Sequence, residues 1–428
     1  MFFYQDSKLK IGRPDQNAEL AVGNVDVEEI ARAAGRPVYI YDLDDVERRF
    51  QALEKALCTL PHMIHYAMKA NSHEQILRLL GKLGAGVDTV SGGEIKKALQ
   101  SGIQADRIIF SGVAKTVAEI EFALQSKIKQ INVESPEELL RIQQIARRLK
   151  TTAPIAFRLN PDVSPNTHPY ITTGFRENKF GMDESFIPEL LQILGSRPSA
   201  PTTSTTEPPP LQLRGLTMHI GSLLFDLGVI REAILKTVAV QKAIISDRAF
   251  GGHRLDRLDI GGGLGINYET ADDAEEFKLI NDYGRMAIET LTNEKVEVLT
   301  EPGRIIVGRS GLLVGEVQYI KKAHSKTFAI LNTGMNHLLR PALYQAKHRI
   351  LPLSLPLSKA QPEQISYDVV GPICESSDFF AKNLKLTPLK AGDFVGIADA
   401  GAYGFSMASQ YNLQELPLEI FVSKGRVL

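Results

Sequence analysis

Between residues 63 and 300 the chain alternates eight short apolar runs with stretches of helical periodicity, and no other feature constrains its fold as strongly. The runs are 63–66, 87–90, 108–111, 130–133, 155–159, 213–218, 258–260 and 296–300, with helical patterns such as 75–83, 94–99, 117–124 and 136–149 between them. Strand–helix alternation builds a parallel α/β sheet, and eight near-regular units favour closure into a (β/α)8 TIM-like barrel over a doubly wound sheet. After Gly311 the helical windows thin out. Runs at 312–321, 327–332, 368–370, 394–398 and 419–422 predict a C-terminal β-rich domain, and a strand-like stretch at 37–41 is expected to join it. The expected domains are thus an N-terminal segment 1–42 packing with the β domain, a barrel at 43–310, and the β domain at 311–428. A stretch rich in Pro, Ser and Thr at 197–210 has nothing to bury, which predicts a disordered loop between the fifth and sixth barrel units.

Composition removes several classes of partner. A formal net charge of −1 over 428 residues lacks the basic surface that nucleic acid or anionic membrane requires. No apolar run approaches the roughly 18 residues of a membrane span. The first residues, Met1-Phe2-Phe3-Tyr4, meet Asp6, Lys8 and Lys10 at once, so no signal-peptide core forms and a cytoplasmic location is expected. Two cysteines, Cys58 and Cys374, cannot build a disulfide framework or a structural zinc site. Cys58 sits in a helix-like apolar setting and reads as a small buried residue.

In a barrel the active site is assembled from the carboxyl ends of the strands. The first run leads into Lys69 and Asn71, and the second holds Asp88 before Ser91-Gly92-Gly93-Glu94. The fifth ends in Arg158-Leu159-Asn160, and the sixth in His219-Ile220-Gly221-Ser222. The seventh gives Gly261-Gly262-Gly263-Leu264-Gly265, and the eighth Glu301-Pro302-Gly303-Arg304. Taken singly, each has an ordinary reading: a strand-end lysine is a surface charge, a triple glycine a tight turn, a histidine a satisfied hydrogen-bonding residue. Their coincidence at one face is what points to chemistry.

The chemistry that unites them is phosphate plus carbonyl. Bare backbone at residues 261–265 lets amide N–H groups approach an anion, and Ser222 can add a hydroxyl. Glu301 suits a protonated pyridine nitrogen, and His219 is placed to stack on a ring. Lys69 would be the covalent partner of a carbonyl cofactor, pyridoxal 5'-phosphate, with its basicity lowered by desolvation beside other cationic groups.

These motifs resemble the alanine-racemase-barrel (fold type III) pyridoxal phosphate decarboxylases. Within that group the chain is similar to the diaminopimelate decarboxylase family over almost its whole length. The likeness extends to residues 86–94, to Asn160-Pro-Asp162 with Thr167-His-Pro-Tyr170, and to Asn178-Lys-Phe-Gly181. In the C-terminal half it takes in Arg340-Pro-Ala-Leu-Tyr344, Cys374-Glu-Ser376 and residues 400–407. The resemblance implies roles. Lys69 carries the cofactor, and Asp88, His219, Ser222, Gly261, Gly262, Gly263, Glu301, Gly303 and Arg304 surround it. Arg304, Arg340 and Tyr344 bind the substrate's distal carboxylate, Glu375 its distal ammonium, and Tyr403 both cofactor and substrate. Cys374 donates the proton. In the family Cys374 and Glu375 serve the partner subunit, which implies a homodimer with shared active sites, and no metal is involved. The implied reaction is decarboxylation of meso-2,6-diaminopimelate to L-lysine and carbon dioxide.

A distal zwitterion needs one acceptor and at least two donors, and planar guanidinium groups match carboxylate oxygens. Ornithine or arginine would need only an acid at that end, so Arg304, Arg340 and Glu375 count against a decarboxylase for those substrates. A racemase would use a tyrosine rather than a cysteine as its second acid. A non-catalytic regulator would lack the cofactor lysine or the phosphate loop. Three departures from the family pattern stand out: Leu223 where glutamine is usual, Asn336-His337 where Asn-Asp is common, and Ser377 where glycine is frequent.

Overall fold

The computed structural model describes residues 1–12, 24–163, 179–195, 209–246, 255–356 and 364–428. Most of the Pro/Ser/Thr stretch, and the 167–170 and Asn178 motif residues, lie outside the described residues. The chain divides into two compact units. One comprises residues 51–265 and 276–303; the other comprises 1–50, 266–275 and 304–428. The second unit is therefore assembled from three stretches, one of them a short excursion between the seventh and eighth barrel strands.

The first unit is a closed barrel of eight parallel strands in sequence order: His62–Ala67, Gly86–Thr89, Ile108–Phe110, Gln130–Val133, Ala153–Leu159, Leu211–Met218, Arg257–Asp259 and Glu297–Thr300. Closure is made by the last strand pairing with the first, Val298 opposite His62 and Thr300 opposite Ile64. All eight runs expected from the sequence become these strands. They read as unbroken apolar runs because a parallel sheet is covered on both faces. Ile64, Val87, Ile109, Ile131, Ile155, Leu216, Leu258 and Val298 are buried.

Side-chain caps define where the helices begin. Ser91 Oγ accepts from Glu94 N at the start of Gly92–Gln100, and Ser135 Oγ does the same for Glu138 N before Pro136–Arg148. Thr116 and Glu119 form a reciprocal capping box at Val117–Gln125. Each cap satisfies backbone donors that the first turn leaves without partners. Helix Leu43–Leu57 ends one residue before Cys58. Cys58 falls in the following turn, its N–H on Lys55 O, and is exposed. The expectation of a small buried residue there is wrong, because the apolar positions at this end are filled by Leu57 and Leu60.

The second unit is β-rich. Strand Val38–Asp42 lies between Gly311–Ala323, antiparallel, and Leu418–Ser423, parallel. Gly311–Ala323 is long enough to pair onward with Phe394–Ile397 and with Lys326–Leu331. The ladder continues through Ile365–Val370 to Phe379–Leu386. Residues 2–11 form a hairpin with a third short strand, Val25–Asp26. Leu9, Ile11, Val27, Val38, Ile40, Leu312, Val314 and Val422 share one core cluster, so the N-terminal stretch is part of this unit's interior. Two ionic networks sit inside it. Arg49, fully buried, donates to Asp45 and Asp273, and Asp399 accepts from Arg309 and Arg349. No helix among the described residues is long and apolar enough to cross a membrane.

Helix packing around the barrel leaves no room at Gly284, in the middle of helix Ala274–Leu291. A Cβ there would collide with the carbonyl oxygen of Ala56. Glycine to alanine within a helix ordinarily stabilises by about 1 kcal/mol, but overpacking costs about 1–3 kcal/mol. Gly284→Ala is therefore expected to lower the thermal midpoint. A raised midpoint in calorimetry would show that this helix contact does not limit the packing.

Candidate active site

Lys69 stands in a one-turn 3-10 helix, Met68–Ala70, directly after the first barrel strand. The turn is fixed from below: Tyr66 Oη donates to Asn71 O at 2.8 Å, and Ala67 N to Pro302 O at 3.0 Å. Gly303 allows the approach, since a Cβ there would press on the methyl groups of Ala67 and Ala70. Lys69 Nζ lies 3.6 Å from Asp88 Oδ2 and keeps 38 % of its side-chain exposure. The expected desolvation among cations is thus not what the structure shows. A carboxylate, Asp88, lies close to the amine. Asp88 is itself buried, and neither of its carboxylate oxygens makes a hydrogen bond.

Two further carboxyl groups lie beneath. Asp259, at the end of the seventh strand, accepts from Gly261 N at 2.9 Å and acts electrostatically on Glu301. Burial, then the Asp88 charge, pushes Asp259 up to about 7. Burial and the neighbouring Asp259 and Asp88 hold Glu301 well above the usual carboxyl range. Like charges so close cannot both ionise, so the pair retains a proton at neutral pH. His219 Nδ1 accepts from Gly262 N at 3.3 Å and stands 3.9 Å from Glu301 Oε2. Burial and the charges of Lys69 and Arg158 keep its ring neutral.

The glycines matter because of what surrounds them. A Cβ at Gly261 would strike Met218 O, one at Gly262 the Glu301 carbonyl, and one at Gly263 the Gly221 carbonyl. Gly261 and Gly263 also have positive φ. Ser222 precedes Leu223, which itself adopts φ +61°. Arg158, missed as a site organiser, donates to Glu134 Oε1 at 2.7 Å. Glu134 also accepts from Gly112 N and Gly181 N, tying three loops together.

This set fits a phosphorylated pyridine carbonyl. A bare amide cradle suits the phosphate, a carboxyl that arrives with its proton suits the ring nitrogen, and Asp88 offers unused acceptor capacity beside the only chemistry-bearing amine described at this strand end.

The remaining expected residues belong to the β-rich unit, where most of them gather around Tyr268. Arg304 opens the short helix Arg304–Val307 and donates to Tyr268 Oη at 2.6 Å. Its guanidinium also lies 4.7 Å from the Tyr403 ring centre. Tyr403 reaches this place with φ +56°. Arg340 opens the helix Arg340–Tyr344 and lies 4.4 Å from the Tyr268 ring centre. Its Nη1 is 2.7 Å from His348 Nε2. Tyr344 is near enough to act electrostatically on both arginines. Tyr268 and His348 were not singled out from the sequence. His348 could have been, since it follows the Arg340–Tyr344 motif by one further turn's spacing; Tyr268, in the short excursion at 266–275, had no pattern around it.

Cys374 and Glu375 are placed differently. Both are exposed. Cys374 N donates to Asn412 Oδ1 at 3.1 Å, and Glu375 Oε1 accepts from Tyr411 Oη. Asp378 shapes their turn by accepting from Met335 N and Ile373 N. Two departures from the family pattern have structural accounts. His337 is buried between Thr333 Oγ1 and Glu415 O, each at 2.9 Å, and Ser377 Oγ lies 3.6 Å from Met335 Sδ. Both serve the scaffold.

The family model of the pyridoxal-dependent decarboxylases, pyridoxal binding domain, matches residues 43–308. A diaminopimelate decarboxylase of Aquifex aeolicus is 38% identical over 412 residues, 96% of this chain and 92% of the relative. One of Helicobacter pylori is 42% identical over 401 residues, covering 94% and 93%. Among solved structures, diaminopimelate decarboxylase from Helicobacter pylori complexed with L-lysine superposes with a TM-score of 0.84 at 40% identity, covering 94% of this chain and 95% of that one.

The buried carboxyl pair gives the cofactor-free protein a distinctive pH response. A carboxyl raised to about 7 contributes stability that is fully present below about 4 and is lost as pH rises through 7. Relative to Asp259→Asn, the wild type should lose stability progressively across that window. Denaturant unfolding of both proteins at a series of pH values would measure it; a pH-independent difference would remove the assignment of a proton to this pair.

Proposed function

The chain belongs to the pyridoxal-dependent decarboxylases and, within them, to the diaminopimelate decarboxylase family, and on that premise we propose the following chemistry for its residues. The protein is a pyridoxal phosphate-dependent enzyme that converts meso-2,6-diaminopimelate to L-lysine and carbon dioxide, acting on the D-configured centre. The observation that carries the substrate reading is the buried arginine pair, Arg304 and Arg340, around Tyr268. Two desolvated guanidinium groups make a bed for a carboxylate, whereas a substrate ending only in an ammonium or guanidinium would be repelled there.

Bound pyridoxal phosphate supplies a carbonyl carbon for the amine and a π-system that accepts the electron pair of the breaking carbon–carboxylate bond. Lys69 Nζ is the amine that anchors it, with Asp88 as counter-charge. Amide groups of Gly261, Gly262 and Gly263 and the Ser222 hydroxyl receive the phosphate. Glu301 carries a proton to the ring nitrogen, and neutral His219 offers its ring face. Gly303 and Arg304 line the same loop. Arg304, Arg340 and Tyr344 hold the distal carboxylate, Glu375 the distal ammonium, and Tyr403 orients cofactor and substrate. Holding both ends fixes which bond of the reacting carbon breaks. Cys374 Sγ–H then delivers its proton to the carbon that has lost carbon dioxide, and the thiolate recovers a proton from water.

Exposure of Cys374 and Glu375 supports a reading in which they act in the site of a second copy, so the enzyme works as a homodimer. Carbon dioxide release should occur with meso-diaminopimelate and not with L-ornithine or L-arginine; release from either of the latter would overturn the roles of Arg304, Arg340 and Glu375.

Cys374→Ala should lower kcat by about 100- to 10,000-fold, the usual weight of a general acid, while the yellow colour of the bound cofactor persists. Lys69→Ala should lose that colour. Mixing the two variants should restore up to about a quarter of wild-type activity if sites are shared across a symmetric dimer; no recovery after subunit exchange would place Cys374 in its own subunit's site.

A further inference from the structure

Arg340 is 2 % exposed, and a guanidinium buried so deeply requires partners. Its Nη1 meets His348 Nε2 at 2.7 Å, while His348 Nδ1 lies 2.8 Å from the carbonyl oxygen of Ala398. A carbonyl can only accept, so Nδ1 carries the ring proton and Nε2 accepts from Arg340. The ring is therefore neutral; its burial and the Arg340 charge push its pKa down to about 3. The other close neighbour of Arg340 is the Tyr268 ring face. That ring packs edge-on against His348, with centres 5.0 Å apart, and its hydroxyl accepts from Arg304. Among the described residues no carboxylate pairs with Arg340. It is held by groups that fix its direction and bring no charge.

We propose that His348 is a positioning residue for the substrate's distal carboxylate: as a neutral acceptor it aims Arg340 while leaving the positive charge for the ligand, and Tyr268 supports both guanidinium groups. This rests on the reading of Arg340 as a receiver of that carboxylate. A carboxylate at position 348 would hold Arg340 as firmly but neutralise it. An apolar residue would leave its N–H groups without an acceptor, so the guanidinium would turn away. Either change would weaken the recognition that separates a substrate with a distal carboxylate from one without.

The test compares two inhibitors of the holoenzyme, L-lysine and 1,5-diaminopentane, which is lysine without its carboxylate. Wild type should prefer L-lysine by ~10-fold or more, the weight of one charge-assisted bond. No such preference in the wild type would overturn the reading of Arg340 itself, before any variant is compared. Given the preference, His348→Leu should reduce it by ~10-fold and raise KM for diaminopimelate similarly, with kcat within ~3-fold. His348→Gln, whose amide can donate to Ala398 O and accept from Arg340, should keep the preference to within ~3-fold. An unchanged preference in a His348→Leu enzyme that retains its cofactor colour would overturn the proposal. So would an equal loss in His348→Gln, which would show that ring shape alone matters. Should His348→Leu fail to fold, nitrogen-15 NMR of wild-type histidines decides: the Nδ1–H tautomer at neutral pH supports the proposal, and an Nε2–H tautomer or an imidazolium refutes it.

Discussion

The closeness with which three strand ends approach one another fixes His219, Asp259 and Glu301 at the carboxyl end of the barrel. Gly261 O accepts from both Glu301 N and Thr300 Oγ1, and Gly261 N donates back to Asp259. Gly262 N donates to the His219 ring, and its bare Cα faces the Glu301 carbonyl. One tripeptide thereby sets the sixth, seventh and eighth strand ends in a single frame. A side chain at any of its three positions would force the frame apart, because the obstructing atoms are backbone oxygens that cannot rotate aside. Rigidity here has a chemical consequence. Glu301 and Asp259 are both buried and feel one another's charge, so both carboxyl groups are pushed toward their protonated forms.

How much of this was readable in the sequence depended on whether a residue's role is local. The eight barrel strands were legible because each is a continuous apolar run bounded by turn residues, and the helices because their caps sit at fixed spacing from their apolar faces. That Lys69, His219, residues 261–263 and Glu301 lie at strand ends was legible because each directly follows one of these apolar runs. Tyr268 and His348 were not, since what matters about them is a contact with Arg304 and Arg340, residues far away in sequence. The environment of Lys69 was misjudged for the same reason. Nothing in 65–71 says that Asp88, one strand over, supplies a negative neighbour where cations were expected. Cys58 shows the limit at a helix end, where a shift of one residue decides between core and solvent.

The two polar clusters solve the cost of burying charge in opposite ways, each within its own unit. In the barrel, three carboxyl groups, Asp88, Asp259 and Glu301, are buried with a single amine at hand, and the excess is relieved by keeping a proton. In the β-rich unit, Arg304 and Arg340 cannot shed a proton, so their burial is supported by aromatic faces, a hydroxyl and a neutral imidazole. A carboxylate partner would have held Arg340 as firmly. Its absence beside Arg340 leaves the positive potential intact, just as a retained proton moderates the negative charge of the barrel cluster. Stability withheld from the protein's own ion pairs is thus what each cluster has available for binding.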